Sequence, residues 1–378
     1  MDKNGKKSLA LHKKFTGKLG INSKVPLKTA VDLCLAYTPG VAEVCKIINR
    51  DGKLASQYTI KGNTVAVITD GSAVLGLGNI GPLAGLPVME GKAILHKRLA
   101  GTDAFPICLN TEDTEKIIET IKLISPVFGA IHLEDISAPR CFEIEKRLQA
   151  ELDIPVLHDD QHSTAVVVLA ALINAIKIRR LDYRRAKIII NGAGAAGIGI
   201  ARLLLAYGFM NLIIVDSQGS LYKGRKDLHD EKLPLAKITN TNKVKGGLAD
   251  CLKQADVFIG VSKGNLLKPA MVKFMNHRPI IFALANPTPE IMPPEAIASG
   301  AYIIATGRSD FPNQINNVLT FPGIFRGALN NGVRLVTQKM LIQAAKNLAS
   351  LVKHPSPTNI LPSLFDKRVV KAVAKAIK

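Results

Sequence analysis

Two acidic pairs and one glycine-rich segment have residue types and spacings that suit chemistry. Glu134-Asp135 follows the strand-like run 128–132, and Asp159-Asp160 follows the short strand-like run 155–157. The segment NGAGAAG begins at residue 191, so its first glycine, Gly192, lies 32 positions after Asp160. Carboxylates suit an oxygen-liganded cation, and such a glycine loop suits a dinucleotide. The spacing therefore predicts a cation and a nicotinamide cofactor in one cleft.

The acidic pairs predict a magnesium or manganese site. Each pair follows the carboxyl end of a predicted strand, the edge of an α/β sheet at which sites are built. Three carboxylates without a cysteine or tight histidine cluster favour Mg²⁺ or Mn²⁺ over zinc. Taken alone, an acidic pair is most often a solvated helix start, and Asp160 would then only cap the next helix. The comparable position of both pairs, and the histidines 158 and 162 that flank the second pair, favour the metal site.

The glycine segment lies in the setting that a dinucleotide requires. An apolar strand-like run precedes it and the helical run 195–207 follows, so its backbone N–H groups are expected to meet a pyrophosphate at the helix N-terminus. The next strand-like run closes with Asp216, 24 positions after Gly192, which is placed to bind the adenosine ribose. A carboxylate there would repel a 2′-phosphate, so NAD is favoured over NADP. The cofactor-binding positions predicted in the loop are Gly192, Gly194, Ala195, Ala196 and Gly197.

A second match to the same glycine spacing occurs at Gly76, Gly78 and Gly81. Prolines at 82 and 87 follow at once, so we expect that no regular helix starts there. This segment follows Asp70-Gly71-Ser72, and we interpret it as a tight loop at the site rather than a cofactor loop.

Strands alternate with helices along the chain, which predicts α/β architecture with largely parallel sheets. At 378 residues, two domains are expected. We predict an N-terminal α/β substrate and metal domain over 1–160. A doubly wound Rossmann-type NAD-binding domain is predicted over 161–378, with helices beyond about residue 330 packing back on the first domain. The predicted strands are 64–69, 105–108, 128–132, 155–157, 187–191, 212–216, 256–260, 279–283 and 301–305, and the predicted helices are 112–124, 139–150, 161–179, 195–207, 247–254 and 329–350.

The composition indicates a cytoplasmic globular protein. Hydrophobic residues make up 47% and charged residues 21%. No signal peptide is visible, and the longest uncharged run near a predicted helix, 161–176, is too short to span a bilayer. The five cysteines form no C-x-x-C pair, which favours reduced thiols. The net charge of +20 suggests a nucleic-acid-binding protein as a distant alternative. The scattered basic residues and the absence of tryptophan argue against specific nucleic-acid binding.

A divalent metal beside a nicotinamide suits a particular reaction. A 2-hydroxy acid loses hydride to give a 2-oxo acid, and a 3-carboxylate can then leave as CO₂ while the metal polarises the new carbonyl. This sequence of steps also needs a base for the hydroxyl proton and an acid for the enol carbon.

Six segments, which together extend over most of the chain, resemble the short bacterial malic enzymes in order and spacing. They are YTPGVAEVC at 37–45, ITDGSAVLGLGNIGPLAGLPVMEGK at 68–92, HLEDISAPRCFEIE at 132–145, VLHDDQHSTA at 156–165, ANPTPEI at 285–291 and ATGRSDFPNQINNVLTFPGIFRGAL at 305–329. The resemblance implies oxidative decarboxylation of malate to pyruvate and CO₂ with NAD or NADP and Mg²⁺ or Mn²⁺. It also implies a homodimer.

The resemblance assigns roles to residues of this chain. Lys92 is implied as the general base on the malate hydroxyl, Tyr37 as the acid that protonates enolpyruvate, and Asp159 as the residue that orients Lys92. A lysine near a divalent cation is expected to have a lowered pKa. The implied metal ligands are Glu134, Asp135 and Asp160; the implied cofactor contacts beyond the loop are Asp216, Ser262 and Asn286; the implied substrate contacts are Asn286 and Asn317.

Two positions depart from the family pattern. Ser163 stands where glycine is usual, and we expect little effect because serine fits at a helix start. Ala73 stands where longer animal-type members have a substrate-binding arginine, so the partner of one malate carboxylate stays open. The alternatives are a malolactic-type relative, which converts malate to lactate on a retained cofactor, and a relative that decarboxylates oxaloacetate.

Overall fold

Two parallel sheets, one in each half of the chain, organise the protein, whose computed structural model describes residues 3–378. The helices are α1 (Lys3–Phe15), α2 (Ala30–Ala36), α3 (Val41–Arg50), α4 (Ala55–Tyr58), α5 (Gly81–Leu95), α6 (Thr114–Ile124), α7 (Arg140–Glu151), α8 (Asp159–Arg179), α9 (Ala195–Tyr207), α10 (Leu233–Ile238), α11 (Leu248–Leu252), α12 (Pro269–Val272), α13 (Pro293–Ala298), α14 (Phe321–Asn331), α15 (Gln338–Ser350) and α16 (Arg368–Ala374). The strands are β1 (Thr64–Thr69), β2 (Asp103–Cys108), β3 (Ala130–Leu133), β4 (Val156–His158), β5 (Ile188–Asn191), β6 (Leu212–Asp216), β7 (Gly219–Ser220), β8 (Val257–Gly260), β9 (Ile280–Ala283) and β10 (Ile303–Thr306).

The first sheet has the order β2-β1-β3-β4 with every neighbouring pair parallel. The second has the order β10-β9-β8-β5-β6-β7, and only the short β7 is antiparallel to its neighbour. The central strands β1, β5 and β8 are buried throughout, as expected for apolar runs covered by helices on both faces. The predicted α/β fold with a doubly wound Rossmann-type second half is therefore confirmed.

Helix α8 connects the two halves of the chain. It begins at Asp159, immediately after β4, and runs for 21 residues. By length and composition it is apolar enough to cross a membrane, but 72% of its most apolar window is buried inside the protein. Because α8 packs against α9 and α15, the protein core accounts for its apolar residues.

Two predictions about helices are wrong. Helix α5 does begin at Gly81, because Pro82 lies in the first turn, where a missing backbone N–H breaks no helical hydrogen bond. The predicted helix 329–350 is two helices, since Gly332 ends α14 in the left-handed conformation with φ 60°. Helix α14 contacts β3 of the first sheet, whereas α15 packs on α8 and α9.

Candidate active site

The carboxyl ends of strands from both sheets line one cleft of about 480 Å³. Glu134 and Asp160 follow β3 and β4 of the first sheet, whereas Ser262 and Asn286 follow β8 and β9 of the second. Because parallel strands end at the same edge, chain segments more than a hundred residues apart meet here. The remaining lining includes Ala73, Lys92, Asp135, Thr164, Ala196 and Asn317.

Lys92 projects from α5 toward a group of carboxylates. Its Nζ lies 2.5 Å from Oδ2 of Asp159 and 3.0 Å from Oε1 of Glu134. The ammonium also lies 4.8 Å from the ring centroid of Phe321. Asn317 donates to the same Asp159 oxygen at 2.6 Å. Two residues that were predicted separately, Lys92 and Asn317, therefore bind one carboxylate oxygen.

Burial and the neighbouring carboxylates have opposite effects on the pKa of Lys92. Burial alone lowers the pKa of this lysine, but Asp159, Glu134 and Asp160 outweigh burial and raise it. Burial alone raises the pKa of Asp159, and the adjacent Lys92 ammonium brings it down to about 2. The direction for Lys92 is opposite to the one predicted from a cation alone, because Asp159 and Glu134 form ion pairs with the ammonium and Asp160 adds a further negative charge nearby.

Glu134, Asp135 and Asp160 form an oxygen-rich cluster that fits a hard divalent cation. One carboxylate oxygen from each can be chosen so that all lie within 4.8 Å of one another. Oδ2 of Asp135 is buried and has no hydrogen-bond partner among the described residues. Burial, together with the charges of Asp160 and Glu134, raises the pKa of Asp135 to about 9. A buried, unpaired carboxylate is costly, and a cation bound there would offset this cost.

The backbone holds this cluster in place. Asp135 has a φ of 53°, which is unusual for a non-glycine residue, and its N–H donates to Oδ2 of Asp160 at 3.1 Å. Its carbonyl accepts from the N–H of Ala73 at 2.9 Å. Ala73 thus supports the carboxylate cluster through its backbone and brings no charge to the cleft.

Two histidines that sequence reasoning did not single out lie behind Glu134. Nε2 of His132 lies 2.7 Å from Oε2 of Glu134, and Nδ1 of His132 lies 3.0 Å from Nε2 of His96. Burial lowers the pKa of His132 to about 4, so its ring is neutral at physiological pH. A signal was present in the sequence, because residues two apart in a strand share a face and His96 lies one helical turn after Lys92.

Of the histidines that flank the second acidic pair, His162 contacts Glu145 through its ring and His158 through its backbone N–H. Nε2 of His162 lies 3.0 Å from a carboxylate oxygen of the buried Glu145. The same carboxylate accepts from the backbone N–H of His158 at 2.7 Å. Ser163, in the adjacent turn, is fully buried, and its carbonyl accepts from the hydroxyl of Thr320 at 3.1 Å. These contacts fix the start of α8, where Asp159 and Asp160 lie.

The glycine loop leaves room for a pyrophosphate. Gly194, at the N-terminus of the 13-residue helix α9, has nothing within 4 Å of the position that a Cβ would take. A Cβ on Gly192 would lie 2.7 Å from the carbonyl oxygen of Val261, and one on Gly197 would overlap the carbonyl of Gly192. The outer two glycines therefore permit tight packing, and the central one opens the helix N-terminus to a ligand.

Asp216, at the end of β6, is already paired with two cations. Its Oδ1 lies 2.9 Å from Nη1 of Arg225, and its Oδ2 lies 2.8 Å from Nζ of Lys232. Burial alone raises the pKa of Asp216, but these two partners lower it below the usual value. Sequence reasoning considered the carboxylate alone and missed its cationic partners, which lie 9 and 16 positions later in an irregular segment.

Ser262 and Asn286, which were predicted to contact the cofactor, line the cleft on the side of the second sheet. The Ser262 hydroxyl accepts from Nδ2 of Asn191 at 2.9 Å, and its backbone N–H donates to the buried Glu290 at 3.1 Å. Glu290 also accepts from the N–H of Ala285 at 3.1 Å. One buried carboxylate thus joins the loops after β8 and β9.

Tyr37 is the predicted catalytic residue that the structure does not bring to the cleft. Asp216 and the predicted loop residues other than Ala196 are also not among the cleft-lining residues. Tyr37 caps the C-terminus of α2, is 68% exposed, and is not among the cleft-lining residues of the described chain 3–378. The segment from α1 to α3 contains no buried residue among those whose burial is described, and Tyr37 shares this exposure.

The sequence matches known proteins over nearly its whole length. A family model described as the malic enzyme N-terminal domain matches residues 16–149, and one described as the malic enzyme NAD-binding domain matches residues 161–378. A bifunctional malic/malolactic enzyme of Bacillus subtilis is 55% identical over 98% of this chain and 91% of that protein. An NAD-dependent malic enzyme of Geobacillus stearothermophilus is 54% identical over 96% of this chain and 76% of that protein.

The fold agrees with the sequence comparison. The crystal structure of an NAD-dependent malic enzyme from Thermotoga maritima superposes with a TM-score of 0.95 at 48% identity, covering 98% of each chain. The same two-domain architecture is therefore present in both proteins. Together with the matched residues on both sides of the cleft, this agreement shows that the chain belongs to the malic enzyme family.

Proposed function

We propose that this protein oxidises (S)-malate to pyruvate and CO₂ with reduction of NAD or NADP in the presence of Mg²⁺ or Mn²⁺. The observation that carries the proposal is the cleft in which Lys92, three carboxylates and the loops of the dinucleotide-binding half meet. We infer that residues 1–160 supply the metal and substrate side and residues 161–378 the cofactor side. A bound divalent ion would supply Lewis-acid chemistry, and a bound nicotinamide would accept the hydride.

Lys92 is assigned the role of general base on the malate hydroxyl. It must release a proton to act, although the surrounding carboxylates hold it charged. When Glu134, Asp135 and Asp160 coordinate a cation, Lys92 loses much of the negative field that raises its pKa. Asp159, which also accepts from Asn317, then keeps the Nζ aligned. Asn286 and Asn317 are assigned to substrate, and Ser262 and Asn286 to the nicotinamide side.

Initial rates test the proposal directly. Purified protein with malate, Mn²⁺ and either nucleotide should form NADH or NADPH together with pyruvate, and a chelator should stop the reaction until Mn²⁺ is restored. The absence of nicotinamide reduction with both nucleotides would refute it.

A malolactic activity is the second candidate, because the Bacillus subtilis relative is named for both reactions. Such an activity would produce lactate from malate without accumulation of NADH. Measuring both products in the same reaction separates the two candidates. The third candidate is a relative that decarboxylates oxaloacetate. Pyruvate formation from added oxaloacetate, without added nucleotide, tests it.

We also propose that the protein is a homodimer. A monomer of 40.6 kDa is expected to have about 14,600 Å² of accessible surface, whereas this chain has 18997 Å². The segment from α1 to α3 exposes many large apolar side chains, among them Ile21 at 92%, Leu35 at 71% and Val31 at 67%. The surplus of roughly 4,000 Å² per chain corresponds to about 8,000 Å² over two chains, which is at the upper end of what obligate homodimers bury. A second copy of this chain is the occupant that covers it.

Tyr37 lies in this same exposed segment, and we propose that it acts as the acid in the cleft of the second copy. The assignment joins two observations, the exposed position of Tyr37 and the dimer that its surroundings favour.

Complementation between two inactive variants tests this arrangement. Tyr37→Phe and Lys92→Ala proteins should each be inactive, but co-expression should restore up to about a quarter of the unmodified rate. The reason is that half of the randomly paired dimers are mixed and each of these has one intact site. No recovery in isolated mixed dimers would show that Tyr37 does not act on the partner's cleft.

A further inference from the structure

A buried pair of imidazoles, His96 and His132, lies behind the proposed metal ligands, and the proposed reaction does not use it. Both side chains are 0% exposed. Each ring centroid lies within 5.3 Å of the centroids of both Phe321 and Phe325. Apolar side chains would fill such an aromatic box without the cost of burying four ring nitrogens. The polar pair therefore calls for a role that apolar packing does not provide.

Hydrogen bonds join the pair into one line that ends on Glu134. Oε2 of Glu134 lies 2.7 Å from Nε2 of His132, whose Nδ1 lies 3.0 Å from Nε2 of His96. Nδ1 of His96 lies 3.1 Å from Oγ1 of Thr102. All four ring nitrogens thus have a partner, and so does the other oxygen of Glu134, which lies 3.0 Å from Nζ of Lys92.

With Glu134 ionised, the state in which it would bind a cation, its carboxylate fixes the direction of every bond in the line. It can only accept, so His132 donates from Nε2 and its Nδ1 must accept from Nε2–H of His96. His96 then has a bare Nδ1, which lies 3.1 Å from the hydroxyl of Thr102; the single proton of this hydroxyl is shared between that nitrogen and the carbonyl oxygen of His96 at 3.2 Å. One tautomer of each ring satisfies the whole line. His96, which precedes Glu134 by 38 positions in the chain, therefore selects the tautomer in which His132 donates to Glu134.

The line does not conduct protons to solvent. Thr102 is 0% exposed, and its hydroxyl also lies 3.2 Å from the carbonyl oxygen of His96. A line that ends inside the protein has no outlet, so its contribution is to orientation. Partners behind a metal ligand commonly fix the plane of the ligand and strengthen its donor atoms.

We propose that His132 is a positioning residue that sets the orientation of Glu134 and thereby the affinity for the divalent cation, with His96 and Thr102 fixing the tautomer of His132. This inference rests on the proposed function, because it takes Glu134 to be a metal ligand.

Direct Mn²⁺ binding to the full-length protein, without substrate or turnover, tests the proposal. His132→Leu removes the donor and should weaken Mn²⁺ binding by roughly 10- to 100-fold, the range for partners behind a metal ligand. His132→Gln keeps an N–H donor at the Nε2 position and should recover most of this loss. The Kd for NADH should be unchanged in both, because the cofactor loop lies in the other half of the chain.

Two variants further along the line test the proposal independently, in case His132→Leu does not fold. His96→Phe keeps an aromatic ring in the box, and Thr102→Val keeps the shape of the side chain without its hydroxyl. Both should weaken Mn²⁺ binding in the same direction but less than His132→Leu.

The outcomes separate this inference from the proposed function. Mn²⁺ affinity within twofold of the unmodified protein in a folded His132→Leu variant would overturn the inference. Equal losses in His132→Leu and His132→Gln would also overturn it, since packing alone would then be responsible. A lack of Mn²⁺ binding by the unmodified protein would refute the proposed function itself, and the inference with it.

Discussion

Nζ of Lys92 lies 2.5 Å from Oδ2 of Asp159, although 67 positions separate the two residues along the chain. The lysine comes from the last turn of α5 and the aspartate is the first residue of α8. Both side chains are almost fully buried, at 10% and 0% exposure. A buried pair of this kind is sensitive to the loss of one partner, because the other charge is left without compensation.

Lys92→Ala should reduce kcat by about 10²- to 10⁴-fold, the usual range for a general acid or base. The Kd for NADH should be unchanged, because the cofactor-binding loop belongs to the other sheet. Lys97→Ala, at an exposed position one turn later, is the matched control and should retain nearly full activity. Near-normal turnover in Lys92→Ala would remove this lysine from the mechanism.

Asp135→Asn should stabilise the metal-free protein and abolish most of its stabilisation by Mn²⁺. Its folded pKa of about 9 is above the unfolded value of 3.8, so the carboxyl group costs stability as pH rises between these values. An amide at this position does not ionise, so the cost disappears together with one ligand. Thermal unfolding at pH 7 with chelator and with Mn²⁺ measures both effects. An equal Mn²⁺-induced shift in the variant and the unmodified protein would contradict the assignment of Asp135 as a ligand.

Asp216→Asn should shift nucleotide preference toward NADP, raising the NADP-to-NAD ratio of kcat/KM by about tenfold or more. Two cations, Arg225 and Lys232, lie against Asp216, and neutralising the carboxylate leaves their charge for a 2′-phosphate. Lys232→Gln should have the opposite effect, mainly through weaker NADP binding. Lys223→Gln, at an exposed position of the same segment, serves as the control. An unchanged ratio in both Asp216 and Lys232 variants would place the ribose elsewhere.

Asp103→Asn should destabilise the protein at neutral pH and not in strong acid. Burial alone raises the pKa of Asp103, but hydrogen bonds from Lys97, Asn63 and Lys24 lower it to about 2. Because the folded pKa is below the unfolded 3.8, the stabilisation is complete above pH 4 and is lost as pH falls toward 2. The pKa difference corresponds to about 2 kcal/mol, and roughly 1 kcal/mol remains after solvent screening of the exposed lysines.

Urea unfolding of the unmodified and Asp103→Asn proteins at pH 7, 5 and 3 measures this difference. The two curves should approach each other at the lowest pH. A difference that stays constant over the whole range would show that the charge of Asp103 is not responsible.

The sequence by itself determined the α/β class, the positions of nearly all strands and the residues that follow their carboxyl ends. Parallel strands buried on both faces must be apolar runs, and polar residues at their ends must meet at one edge. For this reason Glu134, Asp135 and Asp160 were recognisable as a group. The two wrong predictions concerned helix boundaries at Gly81 and Gly332. A single proline or glycine decides there where a helix begins or ends.

Only the tertiary structure decided which side chains lie beside these groups. The cations on Asp216 come from irregular chain, and no spacing rule connects them to β6. The line from Thr102 to Glu134 joins separate elements through packing between Phe321 and Phe325, which lie nearly two hundred residues later. The exposure of Tyr37 likewise depends on how α1 to α3 lie against the rest of the chain. Spacing in a sequence encodes local geometry, whereas these contacts depend on how the two halves of the chain pack together.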